Sequence, residues 1–157
     1  MSLAENKINI RNYDQLMLDI ESLIKGEKNL LANMGNILAA IKYSMNWFWV
    51  GVYKVEKEEL ILFMFQGPHA CTRIKKGKGV CGLSWENNKT IIVDNVDTFN
   101  GHISCNALSK SEIVIPIRNK EGKVEYVLDI DSIYYADFSE IDARELQKIT
   151  SLIEQLI

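Results

Sequence analysis

The spacing of apolar residues changes twice along this chain, and that change limits its fold class more than any other feature. Tyr13, Leu16, Met17, Ile20, Leu23 and Ile24 recur at three- and four-residue steps, and Leu30, Met34, Ile37, Leu38 and Ile41 repeat the pattern. This spacing lines one face of a helix. Gly26 would end the first helix, and the second would run to about Tyr43 despite Gly35. From Trp47 the texture turns aromatic and β-branched, predicting strands over residues 47–55, 60–65, 90–93, 112–118 and 124–130. The helical period returns at Ile141, Leu146, Ile149, Leu152, Ile153 and Leu156, behind a Ser139…Asp142 capping box. Helices at both ends of a run of hairpin-connected strands predict an α+β fold with an antiparallel sheet of about five or six strands. An alternating, doubly wound parallel sheet does not fit this order.

Length and composition set the remaining bounds. A chain of 157 residues, 47% hydrophobic and 25% charged, fits one domain spanning residues 1–157 with a core of ordinary size. A net charge of −3 argues against a nucleic-acid binder, which gains affinity from clustered cations. The four cations between Arg73 and Lys78 read as a solvated loop. No apolar run is long enough to cross a bilayer and no secretory signal precedes the first helix, so a cytoplasmic location is expected, with no membrane partner. Three cysteines in such a compartment speak for packing, metal or redox roles rather than a disulfide framework.

Chemistry concentrates in two irregular stretches, residues 67–88 and 94–111, which hold Cys71, Cys81, Cys105, His69 and His102; a short helix is expected after Gly79. Cys105 sits in Asn100-Gly101-His102-Ile103-Ser104-Cys105-Asn106, polar and without apolar period, which suits a reactive thiol better than a packed one. Zinc is the competing use of the same cysteines and histidines, but no Cys-x-x-Cys or His-x-x-x-His pair is present. Three carboxylates fall in strand-like surroundings, where a charge is costly unless it is used: Glu112 opens Ile113-Val114-Ile115, and Asp129 and Asp131 flank Ile130. At strand spacing Asp129 and Asp131 share a face, and two like charges there need a cation, a proton or donors between them. The ammonium of a small ligand would serve, as would pairing with Arg73 or Arg118. The aromatic run with Trp47, Trp49 and Tyr53 is core by default, though one of its faces can line a pocket.

Taken together, Phe65-Gln66-Gly67, Ala70-Cys71, Gly77-Lys78-Gly79-Val80-Cys81-Gly82, Gly101-His102-Ile103-Ser104-Cys105, Ser111-Glu112-Ile113-Val114 and Leu128-Asp129-Ile130-Asp131-Ser132 resemble the free methionine-(R)-sulfoxide reductases, which are GAF-domain proteins. The resemblance spans about residues 49–137. It implies a GAF-like fold with the terminal helices on one face of the sheet and the substrate loops on the other. It also implies Cys105 as nucleophile, Cys71 as resolving cysteine and Cys81 as an additional thiol. Trp49, Tyr53, Glu112, Asp129 and Asp131 match the substrate pocket: the indole would wall the methyl group, acids would bind the ammonium and loop amides the carboxylate. Proton delivery to the sulfoxide oxygen would fall to Glu112 or Asp131. His102 is read as organising its turn, outside the catalytic set. No bound cofactor or metal is implied, an external thioredoxin-type dithiol is the expected reductant, and a homodimer is the expected assembly. Two departures stand out, Pro68-His69 ahead of Ala70-Cys71 and Tyr126 where the family tends to carry a small glycine. A GAF sensor that binds a ligand without turnover, and a redox-switching or zinc protein, are the alternative readings.

Overall fold

The computed structural model describes residues 11–157. Two helices open the chain: α1 (Tyr13–Ile24) and α2 (Leu30–Met45). Each starts where an asparagine side chain, Asn12 or Asn29, accepts a hydrogen bond from a backbone N–H of the first turn. The second helix runs past Tyr43 to Met45, because the backbone leaves the helical region only at Asn46, a left-handed cap with φ of 54°.

Strands β1 (Trp49–Glu56) and β2 (Glu59–Gln66) form a hairpin; β3 (Arg73–Lys75), α3 (Gly79–Asn87) and β4 (Ile91–Val93) follow. A short 3₁₀ turn (Val96–Thr98) leads toward β5 (Ser111–Arg118) and β6 (Val124–Ser132), and α4 (Glu140–Leu156) closes the chain. The six strands make one sheet in the order β3-β2-β1-β6-β5-β4, every neighbouring pair antiparallel. The basic stretch expected as a loop therefore supplies an edge strand: Ile74 is buried on Leu60, while Arg73 and Lys75 face solvent. Strand β6 continues two residues beyond the expected Ile130, bringing Asp131 into the ladder. The expected capping box at Ser139 and Asp142 is present.

The period of two along the central strands divides the interior into two cores. Val50, Val52, Ile113, Ile115, Leu128 and Ile130 point to one face and pack with Leu16, Ile20, Ile37, Ile41, Leu146 and Ile149 of α1, α2 and α4. Trp49, Tyr53, Val114 and Val127 point to the other, where α3 packs through Val80, Cys81 and Trp85. The terminal helices thus cover one face, as expected, and the loops and α3 cover the face where the acids lie.

Candidate active site

A row of residues crosses four strands at the same height: Trp49 on β1 pairs with Asp131 on β6, Asp131 with Glu112 on β5, and Glu112 with Val93 on β4. One step along, Gly51 pairs with Asp129, and Asp129 with Val114. Because paired residues of an antiparallel ladder project to the same side, the three acids and the indole form one floor. Gly51 lets the Trp49 ring lie across the strand: a Cβ at Gly51 would come within 2.2 Å of Trp49 Cη2, and one at Gly67 within 2.7 Å of Trp49 Cδ1. The indole stacks on Phe65 with centroids 5.5 Å apart and donates through Nε1 to the Pro68 carbonyl at 3.0 Å. The Tyr53 hydroxyl donates to the Cys71 carbonyl at 2.9 Å. Both aromatic groups therefore hold the segment that carries Cys71.

Above this floor lies a cavity lined by Trp49, Tyr53, Cys81, Cys105, Glu112, Asp129 and Asp131, together with His69, His102, Ile103 and Ser109. Cys105 is bonded to Cys71 across 34 positions of sequence, so the two long loops are joined over the acids. Cys81 sits in α3, the short helix expected after Gly79, and is 3% exposed, with its thiol 3.9 Å from Glu112 Oε1.

Burial dominates the electrostatics. Glu112 and Asp129 are 5% and 6% exposed, and Asp131 is half-buried at the edge of the cavity. Loss of water raises the pKa of all three well above the ordinary carboxylate range; the charge of Asp131 adds to the rise at Glu112, that of Glu112 at Asp129, and that of Asp129 at Asp131. The Cys81 thiol is pushed up by burial and then by the same carboxylates, which favours its protonated form. One oxygen, Asp129 Oδ1, is buried without a hydrogen-bond partner. A buried acceptor in that state calls for a donor from outside the protein.

His102, left outside the catalytic set by its sequence context, stands with Nε2 3.4 Å from Glu112 Oε2. Burial lowers its pKa against the opposing charge of Asp97, so the contact joins a neutral imidazole to the acid. Its spacing of three from Cys105 was the available signal. Ser109, which lines the cavity with Asp131 and tempers the rise of its pKa, had none, because a serine in an irregular loop carries no period. Among the described residues the donors that come within ligand reach of one another are Cys81, Glu112 and Asp129, without either histidine, while Cys71 and Cys105 are joined to each other.

A disulfide above an acid-floored cavity, on one face of an antiparallel sheet backed by terminal helices, marks a GAF-fold protein of the thiol-dependent oxidoreductase class. No family model matches the chain, but individual proteins do. It is 51% identical over 143 residues to GAF domain-containing protein A of Dictyostelium discoideum, covering 90% of each chain. It is 38% identical to the free methionine-R-sulfoxide reductase of Saccharomyces cerevisiae, covering 90% of this chain and 83% of the yeast protein. The free methionine-R-sulfoxide reductase of Neisseria meningitidis, solved in complex with its substrate, superposes with a TM-score of 0.89 at 42% identity over 92% of this chain and 87% of the other. The chain belongs to the free methionine-R-sulfoxide reductase family.

Proposed function

We propose that this protein reduces free methionine-(R)-sulfoxide to methionine, using Cys105 as nucleophile, Cys71 as resolving cysteine and a thioredoxin-type dithiol as reductant. The observation that carries the proposal is the Cys71–Cys105 bond at a cavity floored by three acids with raised pKa values. In the reduced enzyme the Cys105 thiolate attacks the sulfoxide sulfur while an acid protonates the oxygen. The oxygen is transferred to Cys105 as a sulfenic acid, and methionine leaves two electrons richer. The Cys71 thiol then attacks the Cys105 sulfur, expelling water and forming the disulfide, which the external dithiol reduces by exchange.

Glu112 is assigned the proton, because burial raises its pKa well above the ordinary carboxylate range and its neighbour His102 lies on the Cys105 loop. Asp129, with its unpartnered oxygen, and Asp131 then take the substrate ammonium. Trp49 and Tyr53 wall the apolar end. No bound cofactor enters the scheme. The family resemblance also implies a homodimer, for which the exposed apolar side chains Leu18 and Leu23 of α1 and Leu31 of α2 offer a surface; sedimentation at working concentration decides between dimer and monomer.

Among the described residues no helix is long and apolar enough to cross a membrane. Turnover is tested by following dithiol consumption with free R-sulfoxide, free S-sulfoxide and a peptide sulfoxide. Turnover of the free R epimer alone, abolished in Cys105→Ser, is the expected result. Folded, fully reduced protein that turns over none of the three would overturn the reading in favour of a sensor.

A further inference from the structure

Cys81 has no step in the scheme above, yet its thiol is enclosed with two carboxylates. Donor atoms of Cys81, Glu112 and Asp129, one each from α3, β5 and β6, all lie within 4.8 Å of one another, and all three residues are buried. Asp129 Oδ1 accepts nothing from the protein. A substrate ammonium would satisfy the carboxylates but has no use for a sulfur ligand, whereas a borderline-soft divalent cation binds thiolate and carboxylate together, releasing to water the proton that Cys81 Sγ now donates toward Glu112 Oε1.

We infer that Cys81, Glu112 and Asp129 form a binding site for a thiophilic divalent cation of the zinc type, overlapping the ammonium subsite and therefore competing with substrate. The competition rests on the reading given under Proposed function; the binding itself does not. Tetrahedral zinc holds its ligands roughly 3.5 Å apart. The Cys81–Glu112 separation of 3.9 Å needs only small side-chain rotations to reach that spacing. His102, at 3.4 Å from Glu112 Oε2, would support the liganding carboxylate from behind. The fourth position opens into the cavity, where water completes the shell. Because none of the three donors belongs to the Cys71–Cys105 pair, the site persists in the oxidised enzyme.

Titration of the oxidised protein with Co²⁺ tests this without any turnover. The expected result is one equivalent bound with a near-ultraviolet thiolate-to-cobalt charge-transfer band. The band should be absent in Cys81→Ser, weakened at least about tenfold in affinity in Asp129→Asn, and abolished by Zn²⁺. Free methionine should displace the metal. Circular dichroism of each variant separates loss of the site from loss of the fold. The absence of the band in folded wild type, or its survival in Cys81→Ser, would overturn the inference. Turnover without a cobalt band removes this inference alone; a cobalt band without turnover removes the proposed reaction and leaves the metal site standing.

Discussion

Asp129 places one carboxylate oxygen in the interior without a partner, and its pKa is raised by burial and then by Glu112. The folded chain thus keeps a proton that the unfolded chain releases. Its cost to stability sets in as pH rises past the unfolded-state pKa and is complete above the folded-state value. Asp129→Asn removes that cost. We expect a gain on the order of 1 kcal/mol at pH 7, or about 2–4 °C in melting temperature, fading toward about pH 4, with substrate affinity lost at the same time. Calorimetry across that range checks the sign, and a variant less stable than wild type at neutral pH would contradict it. Tyr53 makes a different residue-scale prediction. Its hydroxyl holds the Cys71 carbonyl at 2.9 Å, so Tyr53→Phe gives up about 1 kcal/mol of positioning. Disulfide closure should slow several-fold in rapid-quench thiol counting, while sulfenic acid formation keeps its rate. Glu112, Asp129 and Asp131 were legible as charges inside apolar strands. That Glu112 faces Asp131 directly was not, because strand register comes from pairing and not from the local pattern. Gly51, in the middle of a strand, was a legible sign of close approach whose occupant, the Trp49 ring, only the packed sheet reveals.

At the scale of elements, the start of α4 is tied to the residues before α1. Arg11 pairs with Asp137 at 2.6 Å and with Asp142 at 2.7 Å, and Tyr13 also donates to Asp142. Burial pushes the Asp142 pKa up, but hydrogen bonds from Tyr13, Ser139 and Arg11 outweigh it and hold the carboxyl below its ordinary value. Its contribution is therefore full above the unfolded-state pKa and is lost as pH falls through the folded one. Asp142→Asn leaves the largely buried Arg11 short of a counter-charge and should destabilise by about 3 kcal/mol at pH 7, a loss that denaturant unfolding would register and that should shrink in acid. Both terminal helix stripes and this capping box were legible because each helix buries one face and wets the other. The third helix was less so: nearly every residue from Gly79 to Trp85 is buried, so no polar stripe marks its period. Strand β3 was missed for the opposite reason, since three residues with one apolar side chain are too few to show alternation.

For the whole molecule, the Cys71–Cys105 link closes a segment that contains β3, α3 and β4 entire, including both edge strands of the sheet. Closing a loop of that length in the unfolded chain removes entropy worth roughly 3–4 kcal/mol on the chain-statistics estimate. We expect the oxidised protein to melt about 7–14 °C above the reduced one, which paired thermal scans with and without dithiol would read; equal melting temperatures would argue that the reduced form already restrains the segment. Each turnover then alternates the chain between a ring and an open strand, so its resistance to unfolding rises and falls with the redox cycle. Enzyme that has spent its thiols and finds no reductant waits as the ring, its more durable form. Recharging it returns the chain to work in the softer form, with less margin against heat or proteolysis.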